Sequence, residues 1–89
     1  MAARETLANI KLAIRRRDAK AAVAQLKSLP TTEIDELWRS LREWSVTEVR
    51  LPDNDTLVAV KTLYDNYLLD PKKEFMDRAL IVVAYAAKS

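Results

Sequence analysis

Apolar residues recur at intervals of three and four along nearly the whole chain, as expected for helices that bury one face. This spacing predicts five helices: residues 4–16, residues 19–29, one after Pro30, residues 56–69, and one from Pro71. Three prolines and several cap residues separate these segments, so the connections are short. The pattern therefore predicts an all-α fold, a compact bundle of about five short helices. The length fits one helical domain over residues 1–89.

The first two helices are predicted to be separate, although neither proline nor glycine stands between them. The apolar stripe of the first helix contains Leu7, Ile10 and Ile14. Continuing that helix would rotate the stripe by roughly 100° at residues 16–18. A turn at these residues keeps both apolar stripes on the core, and Asp18 then provides the N-cap of the second helix.

Residues 16–26 resemble the joint between paired helices in α-solenoid repeats, where Arg-x-Asp followed by Ala-Ala and Leu is common. The pattern occurs once in the chain. Because a single copy cannot form a solenoid, it predicts a local helix–turn–helix joint and no repeat architecture.

The third helix is expected to begin at Thr31 or Thr32, either of which can cap its first turn. Its apolar face carries Trp38 and Trp44 on its two edges. Arg42 follows Trp38 by one helical turn, a spacing that favours stacking of the guanidinium on the indole. Large aromatic side chains in a small bundle either pack in the core or serve as binding hot spots, and the sequence leaves both roles open.

Residues 45–51 are mixed and β-branched, which predicts a fraying helix end or an irregular connection, and their order is left open. Residues 52–55 are the clearest loop, and Asp53 or Asp55 is expected to open the fourth helix. The apolar face of that helix consists of Leu57, Val60, Leu63, Tyr64, Tyr67 and Leu68.

The fifth helix has the strongest start signal, Asp70 as N-cap followed by Pro71 at the first helical position. It is apolar nearly all round, which is typical of the central helix of a bundle. Ile81 and Tyr85 fall opposite its main stripe, one turn apart. They either contact a partner or are covered by another helix, and a homodimer through this leftover face is a further possibility.

The chain has no histidine, no cysteine and no glycine. These residues provide most metal ligands, most soft nucleophiles and the backbone loops that wrap phosphate. The residues Asp53-Asn54-Asp55 are similar to the first half of a calcium loop, but Val58 and Tyr64 occupy the positions that need glycine and a bidentate glutamate. We therefore expect no enzymatic activity, no metal and no cofactor.

The longest apolar run, residues 79–87, is too short to span a bilayer, and residues 1–5 lack the apolar region of a secretory signal. No association with a membrane is expected. The lack of cysteine fits a reducing compartment. The sequence therefore predicts a cytoplasmic location.

The net charge is only +2, but it is unevenly distributed. Residues 1–30 are strongly basic, whereas residues 31–60 are acidic. The basic residues of the first third are Arg4, Lys11, Arg15, Arg16, Arg17, Lys20 and Lys27. Such a basic edge can steer an acidic partner, bind nucleic-acid phosphates, or simply favour the negative C-terminal end of the first helix.

Two functions are consistent with these patterns. The leading one is a non-enzymatic interaction module, a regulator, adaptor or inhibitor of bacterial or phage type that docks on a larger protein. The basic edge would steer association, and Trp44 or the face with Ile81 and Tyr85 would provide apolar contacts. The alternative is a helical subunit of a nucleoprotein complex that binds the nucleic-acid backbone through the basic edge.

Overall fold

The computed structural model describes residues 2–49 and 54–87, with side chains from residue 5 in the first stretch and from residue 55 in the second. The α-helices within these ranges are α1 (Ala2–Arg15), α2 (Ala19–Leu26), α3 (Ile34–Thr47), α4 (Asn54–Leu69) and α5 (Lys73–Ala86). A short 3₁₀ turn, Thr31–Glu33, leads into α3. The predicted all-α bundle is confirmed.

The joint between α1 and α2 is a Schellman motif built without glycine. The Asp18 N–H donates to the Ala13 carbonyl at 2.9 Å, and the Arg17 N–H donates to the Ile14 carbonyl at 2.9 Å. Arg17 occupies the left-handed position, with φ of 58°. The Asp18 carboxylate then accepts from the Ala21 N–H at 3.0 Å, so the predicted turn and the predicted N-cap are both confirmed.

Helix α2 ends at Leu26, three residues before its predicted end at Leu29. The N–H groups of Ser28 and Leu29 bond to carbonyls only three residues back, at 3.0 and 3.1 Å. This tighter turn has a local cause, because the ring of a proline disfavours helical geometry at the residue before it. Leu29 precedes Pro30, so helical geometry is disfavoured at Leu29 and the helix ends before it.

The predicted threonine cap of α3 is wrong. Thr31 and Thr32 lie inside the 3₁₀ turn, and Glu33 precedes α3 without a capping side-chain hydrogen bond. The Ile34 N–H instead donates to the Thr31 carbonyl. Backbone bonds of the 3₁₀ turn thus take the place of the expected cap.

The end of α3 is more regular than its sequence indicates. The helix continues to Thr47, so the first three residues of the segment predicted to be irregular are helical. The hydroxyls of Ser45 and Thr47 donate to backbone carbonyls of the preceding turn, at 2.6 and 3.2 Å. Val49 then forms an antiparallel bridge with Ala87. Residues 50–53 lie outside the described residues, and the last two residues of the predicted loop at 52–55 are helical.

The starts of α4 and α5 both differ from prediction. Helix α4 begins at residue 54, two residues before its predicted start, so Asp55 lies in its first turn, while Asp53 is outside the described residues. Helix α5 begins at Lys73, not at Pro71. The Lys72 N–H bonds to the Asp70 carbonyl at 2.7 Å, and this tight turn occupies the residues that were expected to start the helix.

Helix α5 is the centre of the bundle, as predicted. It contacts each of the other four α-helices, a position that suits its broad apolar face. Met76, Leu80 and Val83 on this helix are almost completely buried. Each large apolar side chain removed from water in this way stabilises the fold by about 1.5–3 kcal/mol.

An aromatic cluster joins α3 to α4. The Trp38 ring centroid lies 5.3 Å from that of Tyr64 and 5.5 Å from that of Tyr67, both in tilted geometry. The Arg42 guanidinium lies over the Tyr64 ring at 5.3 Å, so the predicted stacking on Trp38 is wrong. The reason is that Trp38 faces the core and is covered by the two tyrosines. Its indole N–H is buried without a hydrogen-bond partner.

Candidate functional site

The three consecutive arginines contact three different parts of the molecule. The Arg15 side chain donates to the Glu48 carboxylate at the end of α3. Arg16 lies along a groove between α1 and α2, where Asn9 and Gln25 are among its neighbours. The Arg17 guanidinium donates to the Tyr85 carbonyl near the end of α5, at 3.3 Å. The triplet therefore does not form one continuous basic ridge.

The interactions of Arg15 and Arg17 bring three helix C-termini together. Helix α1 ends at Arg15, α3 ends next to Glu48, and α5 ends just after Tyr85. Each helix C-terminus carries a partial negative charge from its unpaired carbonyls. The positive charges of Arg15 and Arg17 near these three helix ends stabilise the fold. This structural role explains why arginines stand at positions 15 and 17 without invoking a ligand.

The ion pair with Arg15 changes the pKa of the Glu48 carboxyl. The Arg15 guanidinium, which is hydrogen-bonded to it, holds the pKa of the Glu48 carboxyl below its ordinary value of 4.5. Partial burial opposes this shift, while Lys11 and the Thr47 hydroxyl add to it. Lys11, one of the predicted site residues, is half-buried. Its positive charge helps to lower the pKa of Glu48.

The backbone of Arg17 is costly for its residue type. A left-handed conformation crowds the Cβ of any residue except glycine and costs roughly 1–2 kcal/mol. Glycine is the usual residue at this position of a Schellman motif. Arginine gives a contact that glycine cannot make, the hydrogen bond from its side chain to α5. This interaction links the turn between α1 and α2 to the far end of the chain.

The other basic candidates are also dispersed. Lys20 lies beside the exposed face of α5, whereas Lys27 borders a separate pocket near the start of α5. The side chain of Arg4 lies outside the described residues. Of the predicted basic edge, Arg17 and Lys20 are the two residues that the structure brings against the exposed face of α5.

Of the two roles that the sequence leaves open for Trp44, the structure shows core packing. Its relative exposure is only 6%, and it belongs to the core cluster together with Trp38 and Leu41. Trp44 stands on the edge of the apolar stripe, but that edge is covered in the folded protein. Trp44 is therefore a packing residue and is not available for a partner.

Ile81 and Tyr85 remain on the surface, with relative exposures of 37% and 64%. Together with residues of α2 they line a shallow groove of about 310 Å³, which we call the α2–α5 groove. Its lining consists of Ala19, Lys20, Val23, Ile81 and Tyr85. On each helix the lining residues follow a spacing of one turn, so two parallel apolar ridges form the walls.

Arg78 shares the groove's face of α5 by helical spacing, although it is not part of the lining, and it is absent from the site residues predicted by the sequence. It is exposed and precedes Ile81 by three residues, so it lies on the same face of α5. Tyr85 follows Ile81 after one more turn. The spacing of Arg78, Ile81 and Tyr85 in the sequence is the signal that could have identified Arg78 as a site residue. A search for clustered basic residues misses it, because Arg78 stands apart from the basic first third of the chain.

The chemistry of the groove is that of a contact surface. It offers an aromatic ring with a hydroxyl, branched aliphatic side chains and the Lys20 ammonium. Within the described residues, no group of three or more acidic, histidine or cysteine side chains is arranged to hold a metal ion. In the same part of the chain, no helix has the length and apolar character needed to cross a membrane.

Comparisons with known proteins assign no family to the chain. No protein-family model, curated protein or solved structure matches it. Its function is therefore inferred from the residues and the geometry described above.

Proposed function

We propose that this protein is a non-enzymatic interaction module that docks on a larger protein through the α2–α5 groove. The partner segment would carry apolar side chains flanked by acidic residues. The single observation that supports this most is the exposed pair Ile81 and Tyr85 beside Lys20, with Arg17 bonded to the Tyr85 carbonyl.

The apolar part of the proposal comes from the burial pattern. Tyr85 exposes most of its surface although the rest of α5 is the most central element of the bundle. Tyrosine is enriched in interfaces because it gives a large, rigid contact area with a polar tip. The one-turn spacing on both walls suits an amphipathic helix whose anchors recur every three or four residues.

The acidic character of the partner comes from the charges around the groove. Lys20 is in its lining, Arg17 borders it, and Arg78 lies one turn before Ile81. Of the acidic groups around the groove, Asp18 caps α2 and Asp77 is paired with Lys73 at 3.2 Å. Glu74 lies two turns before Ile81 on the same face of α5, but the three cations outnumber it. An acidic segment would therefore meet a net positive rim, which speeds encounter and fixes orientation.

Selection from a display library of random 16-residue peptides tests the proposal without knowledge of the partner. The wild-type protein is the bait, and the Tyr85→Asp variant is used for counter-selection. Tyr85 is exposed, so this variant keeps the core intact. We expect enriched peptides with acidic residues around aromatic or aliphatic anchors spaced three or four apart.

The selected peptides also decide the location of the site. They should bind wild-type protein and a Val58→Asp control equally, because Val58 is an exposed apolar residue of α4 outside the groove. They should bind Tyr85→Asp much more weakly. Peptides without acidic bias, or peptides that bind all three proteins alike, contradict the proposal.

Nucleic-acid backbone binding has less support than protein docking. Two of the seven basic residues on which it rests are engaged within the protein, Arg15 with Glu48 and Arg17 with the Tyr85 carbonyl. Arg16, which lies along the groove between α1 and α2, is then the main candidate of the triplet for a phosphate contact. Salt dependence separates the two functions, because affinity from phosphate contacts falls steeply with salt, whereas affinity from apolar anchors falls less.

A further inference from the structure

A second pocket lies at the opposite end of the α2–α5 pair. It surrounds the start of α5 and has a volume of about 310 Å³; we call it the α5 N-terminal pocket. Its apolar lining includes Leu26, Leu29, Ile34, Tyr67 and Met76. Lys27 and Lys73 stand at its rim, and Lys73 is paired with Asp77. Lys27 is therefore the rim charge that is available to a ligand.

An unusually exposed apolar residue projects close to this pocket. Leu69, the last residue of α4, has a relative exposure of 87%, and its neighbour Leu68 has 60%. The pocket includes Tyr67 and Pro71, which flank these leucines in the chain. The same end of the molecule thus carries an apolar projection and an apolar cavity that the projection does not fill.

The charges of projection and cavity are opposite. Asp70 follows Leu69 directly, and its carboxylate is 3.3 Å from the Lys72 ammonium in an exposed ion pair of low energetic value. The cavity presents Lys27 at its rim. A leucine entering the cavity from another molecule would bring an acidic residue toward this lysine.

We propose that a second copy of this chain occupies the α5 N-terminal pocket, in a two-fold symmetric dimer. Leu69 of each copy enters the pocket of the other, and Asp70 of each copy faces Lys27 of the other. A two-fold interface requires that a surface be complementary to itself, and a projection next to a matching cavity satisfies this requirement. A cavity of about 150 Å³ holds benzene in an engineered protein core, so this pocket can admit the smaller leucine side chain.

The dimer is expected to be weak. One or two leucines at a corner bury far less area than the roughly 1,200 Å² in total that marks the lower end of stable interfaces. Self-association should therefore appear only at high micromolar to millimolar protein concentration. Sedimentation equilibrium and concentration-dependent amide shifts are suited to that range.

Three single variants test the contact. Leu69→Glu removes the projection, Lys27→Glu makes the rim repel Asp70, and Asp70→Lys makes the projection repel Lys27. All three residues are exposed, so the fold should persist in each variant. We expect each change to raise the dimer dissociation constant by about tenfold or more. Val58→Asp is the matched control and should leave the constant unchanged.

Mixing two variants shows that the contact is between molecules. In a mixture of Lys27→Glu with Asp70→Lys, both contacts of the mixed dimer pair opposite charges again. The mixture should therefore associate about as well as wild type, although each variant alone associates more weakly by about tenfold or more. A wild-type protein that remains monomeric at millimolar concentration overturns the proposal, as does a mixture that stays monomeric.

Self-association through the α5 N-terminal pocket does not involve the α2–α5 groove, which lies at the other end of α2. Tyr85→Asp should leave this dimer intact while it weakens peptide binding. If Tyr85→Asp abolishes self-association and Leu69→Glu does not, the copies meet through the exposed face of α5 and the pocket assignment is wrong.

Discussion

The Arg17 side chain donates a hydrogen bond to the Tyr85 carbonyl at 3.3 Å, across 68 positions of the chain. The bond fixes the turn between α1 and α2 against the last turn of α5. It also places a guanidinium next to the backbone of Tyr85, an exposed residue of the α2–α5 groove. One residue thus contributes to the joint of two helices and to the charge of the candidate site.

The first prediction concerns the left-handed backbone of Arg17. Arg17→Gly and Arg17→Ala both lose the bond to Tyr85, but only glycine adopts the native φ of 58° without steric cost. The glycine variant should therefore be more stable than the alanine variant by about 1 kcal/mol. Urea unfolding followed by tryptophan fluorescence measures this difference. Equal stabilities would show that the turn relaxes to another conformation in solution.

Much of the bundle was predictable because its signals are local. The helical period predicts where the helices lie, the position of Asp18 predicts its capping role, and the broad apolar face of α5 predicts its central position. The starts of α3 and α5 were not predictable in the same way. Thr31 and Asp70 have the right chemistry for caps, but tight turns formed by the backbone occupy those positions.

The candidate site was only partly predictable, since it depends on which helix ends meet. The exposure of Ile81 and Tyr85 follows from the helical wheel of α5 alone. The burial of Trp44 and the three directions of the arginines depend on the arrangement of the neighbouring helices. Sequence periodicity predicts which face of each helix is apolar. Which other helix packs against that face is known only from the folded structure.

A second prediction follows from the burial of Trp44. Trp44→Ala should lower the free energy of unfolding by about 3–5 kcal/mol, because it removes a large buried side chain and leaves a cavity. That is a large share of the stability of a small domain, about 5–15 kcal/mol. Chemical denaturation measures the loss, with Trp44→Phe as the milder control. A loss below about 1 kcal/mol would mean that the residue is exposed after all.

The third prediction concerns pH and the ion pair between Arg15 and Glu48. Because the folded state holds the pKa of Glu48 below its ordinary value of 4.5, the pair stabilises the fold above that pH. The contribution is lost as the pH falls through the lower folded-state pKa. Arg15 is more than half exposed, so the contribution should be modest, about 0.2–1 kcal/mol.

Urea unfolding of wild type and Glu48→Gln at a series of pH values tests this sign. The difference in free energy of unfolding should be greatest near neutral pH and should shrink toward zero in acid. The matched control is Glu43→Gln, which removes an exposed carboxylate of the same helix and keeps the ion pair. A difference that grows as the pH falls would contradict the assigned shift.

A fourth prediction separates the apolar and charged parts of the α2–α5 groove. For a peptide selected on wild-type protein, Tyr85→Ala should raise the dissociation constant by about tenfold or more at any salt concentration, mainly through faster dissociation. Lys20→Gln and Arg78→Gln should instead slow association at low salt, with little effect at high salt.

Stopped-flow measurements at two salt concentrations give both rate constants. Tyr85→Phe keeps the ring and removes the hydroxyl, so it distinguishes ring packing from hydrogen bonding by the phenol. Charge variants that change only the dissociation rate would show that Lys20 and Arg78 make buried contacts with the peptide and do not act as a steering rim.

The last prediction concerns nucleic acid and the basic first third of the chain. Fluorescence anisotropy with labelled single- and double-stranded DNA and RNA should show only weak binding, lost between low and physiological salt, because Arg15 and Arg17 are engaged within the protein. The triple change of Arg15, Arg16 and Arg17 to alanine should then alter stability more than nucleic-acid affinity. Sub-micromolar binding at physiological salt that is lost in the triple variant would instead favour the nucleoprotein function. In that case the internal hydrogen bonds of Arg15 and Arg17 would have to open when phosphate binds, and the salt slope would give the number of phosphates that the protein neutralises.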